Sequence, residues 1–274
     1  MCNDTQATNP MAVALSSHYE RTLSSADINI WLASSDQVTP ALHAGYGLLL
    51  TAAELEQEAR FRFESDRCRY RVTRALLRTV LSRYYPLPSQ DWRFNAGPYG
   101  RPEISHPAAC AGLSFNISHS GGLIALAVST TRAVGIDVES LRGRCSCLDI
   151  AEHYFAPEEY AALLTLPANQ QLFGFLEYWT LKESYIKARG MGLSLPLHQF
   201  AFDLAESRKI HFTTYPDLED DATRWQFWQY RLSPEHVLAV CGSRRGTGTA
   251  VVKMRRVVPQ LSEEDLLCEP LRTT

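Results

Sequence analysis

Apolar and polar residues alternate along "INIWLA" (28–33), the period-two signature of a strand. The period then lengthens. Residues 52–84 read as one long helix, broken near Ser65-Asp66, with Leu76, Leu77, Val80 and Leu81 on its buried stripe. "PLP" at 86–88 ends it. Short strands are expected at 91–95, 112–120, 123–129 and 133–139, with "GPYGRP" (97–102) as a turn. The same order then repeats. Pro157, followed by Glu158 and Glu159, starts a helix. A second long helix runs from about Gln170 to Arg189 and stops at Gly190. Strands follow near 199–204, 210–215, 225–232 and 236–242.

This order predicts an α+β protein of two pseudo-repeated halves, each a long helix packed on a small, mainly antiparallel sheet. The expected divisions are a poorly ordered N-terminal segment (1–26), an N-terminal half (27–142), a C-terminal half (143–242) and a C-terminal tail (243–274). In the tail only "AVVKM" has a pattern.

Composition narrows the function classes. A hydrophobic share of 45% and a charged share of 21% fit a soluble globular chain. A net charge of −3 supplies no global attraction to nucleic acid or an anionic membrane, so any bound anion needs a local cluster. Seven cysteines without a C-x-x-C pair read as reduced thiols, which implies a cytoplasmic protein. Cys145 and Cys147 are too close and too isolated for a zinc site. "MCNDTQATNP" lacks the features of a secretory signal, and no apolar run has the length of a membrane span.

The strand "VGIDVE" (134–139) carries the most chemistry. Val134, Ile136 and Val138 share one face; Gly135, Asp137 and Glu139 share the other. The two carboxylates stand about 7 Å apart along the strand, with space beside Gly135. Hard oxygen donors in open space suit Mg²⁺, although a solvated strand face accounts for the pair equally well. In "EYWTLKESYIKARGMG" (177–192), Glu183 and Lys187 are four apart on one helix face. That spacing serves a surface ion pair, or an anion and a metal. Only four lysines occur in the chain, and two are in this stretch.

"FNISHS" (115–120) places Asn116 and Ser118 on one strand face, ahead of His119 at its end. Ser118 and His119 are either phosphate contacts or turn residues. Eight arginines crowd 60–83; Arg67, Arg71, Arg74 and Arg78 form a helical row able to line a groove. There is no Walker A motif, G-x-G-x-x-G, H-E-x-x-H or G-x-S-x-G.

Taken in order, "FNISHS", "VGIDVE", "FAPEEY" and "WTLKESYIKARGMGLSLPL" resemble the 4′-phosphopantetheinyl transferases, in their surfactin-type (Sfp-type) single-chain branch. The likeness runs from about Ala59 to Leu204. It implies an enzyme that moves 4′-phosphopantetheine from coenzyme A to a serine of an apo acyl or peptidyl carrier protein, releasing 3′,5′-adenosine bisphosphate. The same resemblance assigns Mg²⁺ to Asp137, Glu139 and Glu183, and the serine's base to Glu183. Lys187 would neutralise the pyrophosphate, and Trp179 would be a core anchor. Asn116, Ser118 and His119 would contact the coenzyme's phosphates, and Gly100, Arg101 and Pro102 would lie beside the adenine. Relatives use lysines and a threonine for the 3′-phosphate; here Tyr70 stands where the threonine is expected, which leaves Arg60 and Arg67 as candidates.

The resemblance also implies a monomer acting in fatty-acid, polyketide or non-ribosomal peptide synthesis. The acidic carrier would dock on Leu141, Arg142, Arg144, Leu148, Ile150, Tyr154 and Phe155. Two rivals stand beside it. One is a non-catalytic coenzyme A or carrier-protein binding module, which has no need of three carboxylates. The other is a metal-dependent nuclease, whose glutamate and lysine would be two apart on a strand.

Overall fold

The computed structural model describes residues 27–97, 99–110, 112–130, 133–142, 146–244 and 248–274. The segment 1–26 and Arg144 lie outside the described residues. Within them the chain is α+β. It opens with β1 (Asp27–Ser34) and three helices, α1 (Pro40–Gly47), α2 (Ala52–Ala59) and α3 (Glu64–Leu81). Five strands follow: β2 (Arg93–Ala96), β3 (Pro102–His106), β4 (Ser114–Ser120), β5 (Leu123–Ser129) and β6 (Val134–Ser140). Three more helices come next, α4 (Cys147–Tyr154), α5 (Pro157–Leu164) and α6 (Ala168–Arg189). The remainder is β7 (Phe200–Asp203), β8 (His211–Thr214), β9 (Trp225–Ser233), β10 (His236–Ser243), β11 (Val251–Val258), β12 (Ser262–Asp265) and β13 (Arg272–Thr273).

Two sheets form the centre, in the orders β12-β11-β1-β5-β4 and β13-β9-β10-β6. Ile28 and Ile30 of β1, Ala125 and Ala127 of β5, Val134, Ile136 and Val138 of β6, and Leu238 and Val240 of β10 fill the layer between them. The opposite face of the first sheet, with Trp31, Leu126 and Val128, packs on Leu76, Leu77 and Val80 of α3. The opposite face of the second, with Phe227, Ala239 and Cys241, packs on Leu181 and Tyr185 of α6. Central strands are therefore apolar on both faces, which is why "LIALAVS" reads as a continuous run.

Three expectations change. The helical stretch breaks at 60–63 rather than at Ser65-Asp66. Arg67 Nη1 donates to the carbonyls of Phe61 (2.8 Å) and Arg62 (3.4 Å), supplying partners for the connecting backbone. The segment after Gly242 is part of the sheets: β11 runs parallel to β1, β12 pairs with β11, and β13 pairs with β9. And β6, grouped with the first half by its place in the chain, hydrogen-bonds to β10.

Candidate active site

The site begins where α6 crosses β6. A Cβ on Gly135 would lie 2.0 Å from the Ser184 carbonyl oxygen and 2.4 Å from the Ala188 nitrogen. The open space that the sequence suggested beside the carboxylates is therefore absent. Helix backbone occupies it. This contact brings Glu183 and Lys187 of α6 over Asp137 and Glu139 of β6.

Strand β4 meets β6 through side chains. Asn116 Oδ1 accepts from the Ile136 N–H (2.9 Å), Ser118 Oγ from Val138 N–H (3.3 Å) and Ser120 Oγ from Ser140 N–H (3.1 Å). Alternate polar residues thus do the work of a backbone ladder along two strand edges. The serines also donate: Ser118 to Asp137 Oδ1 and Ser120 to Glu139 Oε2, both at 2.8 Å. Asn116 is committed to this joint and buried.

Between the halves lies a cleft of about 690 Å³. One wall is α3, through Asp66, Arg69, Tyr70, Thr73, Arg74 and Leu77; Phe61 and Pro102 adjoin it. The other wall carries Ser118 and His119, Asp137 and Glu139, and Trp179, Glu183 and Lys187. Lys187 Nζ is 2.6 Å from Asp137 Oδ1 and donates to Ser118 Oγ at 3.1 Å. Burial raises the Asp137 carboxyl above its ordinary range, against the pull of Lys187. Glu139 is raised by burial and then by Asp137. Glu183 is pushed up to about 7, by burial first and by Asp137, with Lys187 opposing and Glu139 adding. Three carboxylates share one cationic side chain, so the cluster lacks positive charge.

Two buried oxygens here, Asp137 Oδ2 and Glu183 Oε1, have no hydrogen-bond partner. Unpaired hard oxygens in an acidic, desolvated cluster fit a divalent cation such as Mg²⁺. Among the described residues no three such side chains are already drawn into a metal cluster. The fit is one of donor chemistry, with Lys187 on the remaining Asp137 oxygen.

The other expected residues fall in different places. His119 lines the cleft, and partial burial followed by Arg69 holds its imidazole below the ordinary range. Gly100, Arg101, Pro102 and Asn116 line an adjoining pocket of about 250 Å³, shared with Glu183 and Lys187. Trp179 is only half buried; it stacks on Phe175 (5.7 Å between ring centres) and also lines the cleft. Arg60 is exposed and reaches Gln57. Arg67 is spent on the α2–α3 link and Glu64. Of the arginine row, Arg71 is taken by Glu58, Arg78 by Glu54 and the Trp92 carbonyl, and only Arg74 lines the cleft.

Sequence reasoning placed Arg74 in a row able to line a groove but missed Arg69 and Thr73. Arg69 pairs with Asp66 at 2.7 Å. The Arg74 guanidinium lies 5.1 Å from the Tyr70 ring centre, and its Nε, without a hydrogen bond, forms a long ion pair with Glu54 at 3.7 Å. The Thr73 hydroxyl is buried, unpartnered and in the cleft lining. These residues are three to four apart from Tyr70 and Asp66 on α3, a spacing that had marked their common face.

Residues 133–241 match the 4′-phosphopantetheinyl transferase superfamily, and residues 31–131 match the 4′-phosphopantetheinyl transferase N-terminal family. The chain is 36% identical over 195 residues to the 4′-phosphopantetheinyl transferase HetI of Nostoc sp., covering 71% of this chain and 81% of that one. It is 34% identical over 196 residues to the transferase ffp of Bacillus subtilis, covering 71% and 83%. Against Sfp of Bacillus subtilis the identity is 34% over 189 residues, covering 69% and 80%.

Proposed function

The chain belongs to the 4′-phosphopantetheinyl transferases, and from that premise we propose that its cleft moves 4′-phosphopantetheine from coenzyme A to a serine of an apo carrier protein, with Mg²⁺, releasing 3′,5′-adenosine bisphosphate. The observation that carries this reading is the gathering of Asp137, Glu139, Glu183 and Lys187 in a cleft whose other wall holds Arg69 and Arg74. A nuclease or a passive binding module accounts for neither this set nor the family membership.

Transfer of this kind demands positioning and neutralisation of charge. Lys187 offers a movable cation to the pyrophosphate as charge builds on the leaving group. His119, Arg69, Arg74 and Thr73 offer donors to the coenzyme's phosphates from both walls. Thr73 and Arg74 replace Arg60 and Arg67 as candidates for the 3′-phosphate. Glu183, with a pKa pushed up to about 7, is poised to take the proton of the carrier serine as its oxygen attacks phosphorus. Asp137 and Glu183, with Glu139, would hold Mg²⁺, which when bound adds positive charge beside the pyrophosphate. The protein supplies no nucleophile of its own, since the carrier serine is one.

Both walls of the cleft come from one chain, which supports action as a monomer. Cys68, Cys110, Cys147, Cys241 and Cys268 are free, which supports a reducing, cytoplasmic setting. No helix among the described residues is long and apolar enough to cross a membrane. The deciding experiment mixes the protein with an apo carrier protein, coenzyme A and Mg²⁺ and weighs the carrier by mass spectrometry. A mass gain of one phosphopantetheine group is expected. A carrier of unchanged mass at several enzyme concentrations overturns the reading.

A further inference from the structure

The side chain of Arg101 points away from bulk solvent and into the joint between the two halves. Nη1 donates to the Lys187 carbonyl at 2.8 Å. Nη2 donates to the Phe115 carbonyl at 2.7 Å and, more weakly, to the Val134 carbonyl at 3.4 Å. These acceptors belong to α6, β4 and β6. The same three elements carry the polar site residues: Glu183 and Lys187, Ser118 and His119, Asp137 and Glu139. One planar fork therefore ties together every element on which the charged cluster stands.

The geometry points to Arg101 as a positioning residue of the transfer reaction, acting through the last turn of α6 rather than as a ligand of the coenzyme. Among the described residues the Lys187 carbonyl is otherwise served only by the long bond (3.3 Å) from the Gly190 N–H, at a left-handed C-cap (φ 69°). A cation at a helix C-terminus is favoured by the helix dipole. Arginine suits the place because its rigid fork spans acceptors on separate elements, which a compact ammonium does not. With the carbonyl held, the Lys187 side chain leaves the helix at a fixed point and reaches Asp137 Oδ1 and Ser118 Oγ.

This inference rests on the transfer reaction proposed above, and its test separates the two. Arg101→Ala and Arg101→Lys are assayed with an apo carrier protein and varied coenzyme A. Arg101→Ala is expected to lower kcat about 10-fold or more, since small misplacements of reacting groups carry such costs. KM for coenzyme A should stay within about twofold, and Arg101→Lys should recover only part of kcat. In a Lys187→Ala background, Arg101→Ala should cost little more, because both changes remove one function. A KM rise of about 10-fold with kcat intact would make Arg101 a coenzyme ligand, and full additivity with Lys187→Ala would place its action elsewhere; either overturns the proposal. So does unchanged kinetics. Hydrogen–deuterium exchange gives an arm independent of turnover: Arg101→Lys should speed exchange in residues 187–190, and unchanged protection there removes the tie. If the wild-type protein transfers nothing while this exchange arm succeeds, the functional reading fails and the tie stands.

Discussion

Gly135 and Ser184 meet backbone to backbone. A methyl group on the glycine would lie 2.0 Å from the serine's carbonyl oxygen, inside any real contact distance. The helix that carries Glu183 therefore rests directly on the strand that carries Asp137, and the site depends on a side chain that is absent. Gly135→Ala is expected to push α6 off β6, with a loss of stability of about 3 kcal/mol or more, as overpacking at a rigid backbone contact costs. Urea denaturation followed by circular dichroism checks this. A midpoint equal to wild type would mean the contact is not so close.

The acidic cluster is expected to separate stability from activity. Asp137 is buried, and its pKa is raised by desolvation despite the Lys187 ammonium at 2.6 Å. Its ionised form thus opposes folding, and Asp137→Asn removes that charge while keeping the shape. The variant is expected to fold with a free energy of unfolding no more than about 1 kcal/mol below wild type. Transfer should fall at least about 100-fold, because a cation-holding oxygen and the partner of Lys187 are both altered. Near-normal transfer by a folded Asp137→Asn protein would take Asp137 out of the site.

The same cluster gives a pH dependence of definite sign. Glu183 has a folded pKa pushed up to about 7, above the ordinary 4.5 expected of the unfolded chain. The folded state then binds more protons than the unfolded state between these values, so stability falls as pH rises through that window. The shift corresponds to at most about 3 kcal/mol. Asp137 and Glu139 shift in the same direction. In EDTA, the protein is expected to have a lower urea midpoint at pH 8 than at pH 5.5, and Glu183→Gln should reduce the difference. Added Mg²⁺ should raise the midpoint at pH 8 more than at pH 5.5. A midpoint rising with pH in wild type but not in Glu183→Gln would contradict the sign.

The two long helices and most strands were legible because a fold of stacked sheets and helices imposes clear periods on its inner faces. Strand and helix spacing set Asp137 beside Glu139 and Glu183 beside Lys187, each pair on one face, but only the family resemblance joined the two pairs into one site. Other features left no such mark. α1 hides in "PALHAGYG", whose two glycines disfavour a helix; only Thr39, which caps it, and Pro40 at its start announce it. β11 hides behind Lys253, Arg255 and Arg256, and Arg255 is buried, donating to Asn29 and ion-paired with Asp265. The work of each arginine on α3 depends on which carboxylate or carbonyl it meets across the fold, and no local pattern encodes that. Spacing from Glu183 marked Lys187, which lines the cleft, but nothing local marked Lys182 as a core residue.

Lys182 and Glu159 are both fully buried and 2.7 Å apart. Lys182 also donates to the carbonyls of Leu197 and Phe200, and Glu159 accepts from the N–H groups of Ala156 and Phe202. Burial lowers the lysine's pKa and raises the glutamate's, each against the other's attraction. Lys182→Met strands a buried carboxylate and is expected to cost about 3–5 kcal/mol. Adding Glu159→Gln should restore part of that loss, since the amide oxygen still accepts a backbone N–H without a charge. If the double variant loses as much as the sum of the singles, the pair is not coupled as drawn.

Docking of the carrier is expected beside α4, and the structure divides the candidate patch. Phe155 is core, 4% exposed, and stacks on Phe175, so its removal would report on folding rather than docking. Leu141, Leu148 and Ile150 are partly buried against the same core. Tyr154 is 58% exposed, and the Arg142 side chain is 71% exposed with Glu235 as its partner at 2.7 Å. An exposed ion pair of this kind contributes little to stability, so both partners can be changed without harm to the fold. If an acidic carrier protein meets this surface, Arg142 steers its approach while Tyr154 supplies contact area. Arg142→Glu is expected to raise KM for the carrier about threefold or more at low salt, with KM for coenzyme A unchanged; salt should shrink the difference, because exposed charges are screened within about 10 Å at 0.1 M. Tyr154→Ala should also raise the carrier KM, but with little dependence on salt, since the lost contact is apolar. Glu235→Lys, which removes the acid beside Arg142, should act in the opposite direction and lower the carrier KM at low salt. Carrier kinetics that ignore all three substitutions would move the docking surface elsewhere.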